Sequence, residues 1–97
     1  MVKIVIRINK MRDTIFIKGH ANSEICASVS SIMYTTINAL EKIDEKSFSF
    51  YDDKIDDSIT IRIFKHNKTI DLLVDNMLNL FKDLSEQYPE EIKMYIL

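Results

Sequence analysis

Tryptophan is absent from the 97 residues, and glycine, proline and cysteine occur once each, as Gly19, Pro89 and Cys26. A single cysteine excludes an intramolecular disulfide. A single glycine excludes a glycine-rich loop that cradles phosphate. One cysteine with two histidines, His20 and His66, matches no usual zinc-ligand spacing, so no metal and no cofactor is expected. Long apolar runs and a signal-peptide pattern are missing as well, which points to a cytoplasmic protein with a free thiol and no membrane contact. Basic excess is lacking too: 13 Lys and Arg stand against 15 Asp and Glu, a net charge of -2. The cations are scattered among acids, so no direct nucleic-acid partner is expected.

Apolar residues, at 46%, and charged residues, at 29%, are in the proportion of a folded globular chain. At this length one core closes, and the expectation is a single domain over residues 1–97. "VKIVIRIN" alternates, with Val2, Ile4, Ile6 and Ile8 on one face, as a half-buried strand requires. "KMRD" turns the chain and "TIFIK" resumes the alternation, which makes a hairpin. After Gly19 the period changes to threes and fours, through Ile25, Val29, Ile32, Met33, Thr36, Ile37, Leu40 and Ile43, and this predicts a helix capped by Asn22 or Ser23. "FSFYD" and "SITIRIFK" predict a second hairpin, whose acids Asp52, Asp53, Asp56 and Asp57 are read as a turn that discourages edge pairing, with calcium ligation as the lesser alternative.

His66, Asn67 and Lys68 form a solvated entry to a second helix over about 69–88, with a stripe of Ile70, Leu73, Val74, Met77, Phe81 and Leu84, ended by Pro89. "IKMYIL" supplies a last strand. The order β-β-α-β-β-α-β predicts a two-layer α+β fold, a mostly antiparallel sheet with two helices on one face. Leu72, Leu78 and Leu80 widen the apolar surface of the second helix, which suggests a helix-mediated homodimer.

"GHANSEICASVS", residues 19–30, admits two readings. In one, Cys26 lies in the first turn of the helix, where free amide hydrogens and the helix dipole favour a thiolate, an effect that Glu24 opposes. The six-residue separation lets His20 fold back to act as general base, and amides of the helix start bind the oxyanion of a tetrahedral intermediate. Ser30, one turn beyond Cys26, lies on the same helix face with its hydroxyl directed to the site, and Gly19 lets the backbone approach a substrate. Asn22 and Ser23 are then expected to touch the bound peptide. In the other reading the stretch is a tight turn, and the thiol is a small buried hydrophobe.

Gly19-His20-Ala21, then Cys26-Ala27 with Val29 and Ser30, then Asn38-Ala39-Leu40, and finally Tyr88-Pro89 after an amphipathic helix, resemble the ribosomal-processing cysteine protease family, Prp. The likeness runs over essentially the whole chain. It implies a dimeric cytoplasmic endopeptidase that removes an N-terminal extension from a large-subunit ribosomal protein. It also implies Cys26 as nucleophile, His20 as base and Ser30 as a supporting residue. The chain departs from the family pattern between His and Cys, where "NSEI" stands in place of a longer segment carrying a glycine, and Glu24 and Ile25 correspond to its acidic and apolar part. The alternative is a binding or ribosome-assembly domain that keeps this fold without cutting.

Overall fold

The computed structural model describes residues 2–97. In chain order the elements are β1 (Ile4–Ile8), β2 (Thr14–Gly19), α1 (Ser23–Asp44), β3 (Phe48–Asp53), β4 (Ser58–Ile63), α2 (Lys68–Gln87) and β5 (Ile92–Ile96). The five strands form one sheet in the order β3-β4-β2-β1-β5, in which the β1–β5 pair is parallel and the other three pairs are antiparallel. The expected α+β fold, with both hairpins and two helices, is the one observed.

Isoleucines give the sheet its inner face. Ile4, Ile6 and Ile8 of β1 are buried while Arg7 between them is exposed, because successive side chains of a strand point to opposite faces. Strand pairing aligns these residues into rows: Ile8, Ile15, Ile61 and Phe50 lie side by side, as do Ile6, Ile17, Ile59 and Asp52. Ile25, Val29, Met33, Ile37 and Leu40 of α1, with Ile70, Val74, Met77, Leu78 and Phe81 of α2, pack into the same core. Each such side chain removed from water contributes about 1.5–3 kcal/mol.

Two sequence expectations shift. Ile43 belongs to the helical period but is exposed, since by the last turn of α1 the stripe has rotated off the core. Leu78, expected to widen the outer surface of α2, is buried, whereas Leu72 and Leu80 remain exposed. Tyr88, the residue before Pro89, closes α2 with a non-helical backbone (φ -128°), as the ring of a following proline demands.

Candidate active site

The next inner row of the sheet runs from Ile92 through Ile4 to Gly19. β2 reaches the core face with Ile15, Ile17 and then Gly19, which pairs with Ile4 and brings no side chain. A Cβ at Gly19 would sit 2.0 Å from the Lys3 carbonyl oxygen, and its φ is +108°, so only glycine fits here. Gly19 borders a hollow beside the start of α1. It is a cavity of about 370 Å³ with an apolar floor of Ile4, Ile17, Val29 and Ile59.

Gly19, His20, Cys26 and Ser30 all line this cavity, so the sequence-predicted catalytic and supporting residues are brought together. They are joined there by Asp52, Lys54, Asp57 and Ser58 of the β3–β4 hairpin. Asn22 and Ser23 do not line it. Asn22 is the N-cap of α1: its Oδ1 accepts from the Ile25 amide at 3.0 Å, and its carbonyl accepts from the Cys26 amide at 3.0 Å. Glu24 is exposed in the first turn and lies outside the cavity lining.

Cys26 is half-buried, and its sulfur is held by the main chain of Ala21. The Ala21 amide donates to Sγ at 3.2 Å, and the thiol donates to the Ala21 carbonyl at 3.4 Å. At the start of α1 the amides of Ile25 and Cys26 are engaged by Asn22. The backbone donor aimed at the sulfur is Ala21.

His20 is 70% exposed, and its Nε2 lies 3.2 Å from Asp57 Oδ1. Among the described residues no hydrogen bond joins the imidazole to the sulfur; each has its own partner, and both border the same hollow. Exposed side chains exchange rotamers on a picosecond to nanosecond timescale, and the contact with Asp57 is what restrains this ring.

The hairpin that supplies Asp57 is fastened to this corner. The Gly19 amide donates to the Asp57 carbonyl at 3.1 Å, and Lys18 Nζ donates to Asp56 at 2.9 Å. Hydrogen bonds from Lys18 and then from Ser58 hold the Asp56 carboxyl below the usual carboxylate range. Asp53 Oδ1 accepts from the amides of Ile55 and Asp56 and so shapes the turn itself. Sequence reading placed Asp57 in an acidic turn and gave it no part in the site. Its positive φ of 53° marks a special position, but its partner lies 37 residues away in the chain. Among the described residues no three His, Cys, Asp or Glu side chains gather as metal ligands.

The fold, a five-stranded sheet carrying two helices on one face, is shared with solved ribosomal processing proteases. The chain superposes on a Staphylococcus aureus ribosomal processing protease Prp bound to a covalently linked product peptide, with a TM-score of 0.82, 22% identity and 100% of each chain covered. It also superposes on that protease with a substrate peptide, with a TM-score of 0.81, 19% identity and 97% of each chain. SMU.848 of Streptococcus mutans gives 0.76 at 20% identity, over 97% of this chain and 91% of that one. No curated protein matches the chain in sequence. The family model described as Cysteine protease Prp matches residues 1–93, and the chain belongs to that family of cysteine proteases.

Proposed function

We propose that this protein is a cytoplasmic cysteine endopeptidase that removes the N-terminal extension of a large-subunit ribosomal protein, with Cys26 as nucleophile and His20 as general base. The observation that carries the reading is the meeting of Gly19, His20, Cys26 and Ser30 around one open hollow. Peptide-bound structures of the S. aureus protease, which has this fold, support a peptide as the occupant.

The chemistry follows from the groups present. His20 turns to the sulfur and takes the thiol proton, which until then is shared with the Ala21 carbonyl. The Ala21 amide, aimed at Sγ, offers the polarity that an anionic sulfur needs. The sulfur attacks the scissile carbonyl carbon, and the tetrahedral intermediate collapses as the imidazolium gives its proton to the leaving amine. The C–N bond breaks and a thioester remains on Cys26. Water, losing a proton to the imidazole, then attacks the thioester, and the proton returns to the sulfur as the acid product leaves. The apolar floor takes an uncharged side chain of the peptide, and Ser30 at the rim supports the bound chain.

The expected assembly is a homodimer in which Leu72 and Leu80, exposed on α2, are covered. Sedimentation of wild type against a Leu72→Glu/Leu80→Glu variant tests this: a shift to monomer supports it, and identical profiles contradict it.

Incubation with a peptide spanning the ribosomal extension, read by mass spectrometry, tests the activity. Cleavage by wild type and none by Cys26→Ala supports it. Tight binding of the peptide with no product from either protein assigns the chain instead to a binding domain.

A further inference from the structure

We infer that Asp57 is a positioning residue for the His20 imidazole, contributed by the β3–β4 hairpin, so that the pair of sulfur and imidazole works as a triad; this rests on the proposed roles of Cys26 and His20. Three observations point there together. Asp57 Oδ1 lies 3.2 Å from Nε2. The Asp57 main chain is tied to β2 by the bond from the Gly19 amide at 3.1 Å, one residue before His20. Asp57 also holds a left-handed backbone, φ 53°, which costs free energy unless the surroundings enforce it.

The geometry assigns each ring nitrogen a task. With Nε2 beside Asp57 Oδ1, Nδ1 is the ring nitrogen not paired with that carboxylate and is the one assigned to accept the thiol proton. Nδ1 is the ring nitrogen nearer the main chain, and the sulfur is held by the main chain of the next residue, Ala21. Once Nδ1 takes the thiol proton, the ring is a cation with N–H on both sides, and the Asp57 carboxylate faces it through Nε2–H. Both partners are more than half exposed, so the contact adds little to folding stability. Its value is to limit the orientations of a ring that otherwise has the whole cavity mouth to explore. Glu24, two residues before Cys26 in sequence, is exposed and is not among the cavity-lining residues, so the acid of this site comes from the hairpin.

The test uses Asp57→Gly, which removes the carboxylate and keeps the left-handed backbone, and Asp57→Asn, which keeps an acceptor oxygen. Cleavage of the ribosomal-extension peptide is measured together with the NMR couplings that report the His20 χ1 rotamer. The expected result is a kcat lower by roughly tenfold or more in the Gly variant with KM little changed. His20 passes from one rotamer to averaging, and the Asn variant falls between. A Gly variant with wild-type kcat and an unaltered rotamer overturns the inference, and so does a faster one, since Asp57 would then hold the ring away from the sulfur. If the Gly variant cuts normally while Cys26→Ala is inert, only the role of Asp57 falls. If wild type cuts nothing, the proposed function falls, and the His20 couplings still decide whether Asp57 orients the ring.

Discussion

The two helices of this protein begin in nearly the same way and end up with different chemistry. α1 is capped by Asn22, whose Oδ1 accepts from Ile25 at 3.0 Å, and α2 by Asn67, whose Oδ1 accepts from Ile70 at 2.9 Å. Each has a histidine shortly before the cap, His20 two residues ahead of Asn22 and His66 directly ahead of Asn67, and each histidine pairs with an aspartate: His20 with Asp57 at 3.2 Å, His66 with Asp71 at 2.8 Å. The fourth residue after each cap returns its amide to the cap carbonyl, Cys26 to Asn22 and Asp71 to Asn67. At α2 that fourth residue is the acid that binds the histidine. At α1 the same place is a thiol over a cavity, and the acid comes from a hairpin elsewhere in the sheet. A His–Asp pair at a helix start is thus a local capping device in one case. In the other, freeing the fourth position for sulfur and importing the acid turns the same device into a candidate reactive centre.

The largest expected difference between the two starts is in activity. Cys26→Ala lowers cleavage of the ribosomal-extension peptide by roughly a thousandfold or more, while His66→Ala and Asp71→Ala leave kcat within twofold by the same assay. Loss of activity on changing His66 or Asp71 would erase the contrast.

Next comes the glycine that borders the cavity. Gly19→Ala places a Cβ against the Lys3 carbonyl at a φ of +108° and is expected to destabilise the fold by about 3 kcal/mol. Urea denaturation measures it, and a loss below 1 kcal/mol would mean that the strand end yields. α2 has no comparable glycine at its start.

Removing the caps separates stability from function. Asn22→Ala and Asn67→Ala are each expected to lower stability by about 1 kcal/mol. Only the first should also slow peptide cleavage, because Asn22 fixes the turn on which Cys26 rides. Equal cleavage by the two variants would show that the cap at α1 is merely structural.

Legibility followed the range of the interactions. The strands were plain from alternating isoleucines, and the helices from their period and from Pro89, because these are properties of neighbouring residues. Gly19, His20, Cys26 and Ser30 share a short stretch, and so their meeting at one cavity could be read from it. Asp57 could not, since its place beside His20 depends on the β2–β4 register that pairs Lys18 with Ser58. The double use of Asn22, whose side chain engages the Ile25 amide and whose carbonyl engages the Cys26 amide, shows only in the folded turn. Ile43 and Leu78 were misplaced because a helical stripe turns gradually relative to the core it covers, and a periodic count does not show where the contact ends.

The smallest effect concerns two exposed ion pairs, one near the site and one far from it. Lys18 beside Asp56, and Lys65 beside Asp44, hold both carboxyls below their ordinary value of 3.8. The folded form then binds fewer protons than the unfolded chain near that value, so each pair's contribution is present above pH 3.8 and is lost as pH falls through the folded value. Lys18→Met and Lys65→Met should each flatten the acid limb of the stability curve slightly, as thermal melts between pH 2 and 5 would register. Only Lys18→Met should also loosen the hairpin tip that carries Asp57. Acid limbs as steep as that of wild type would show that the pairs contribute nothing.

The cooperation of sulfur and imidazole at the start of α1 is tested most directly by the rate at which iodoacetamide alkylates Cys26 at neutral pH, with and without His20→Ala. The wild-type thiol should react faster than free cysteine, and the excess should disappear in the variant while His66→Ala keeps it. Equal rates for wild type and His20→Ala would contradict the account.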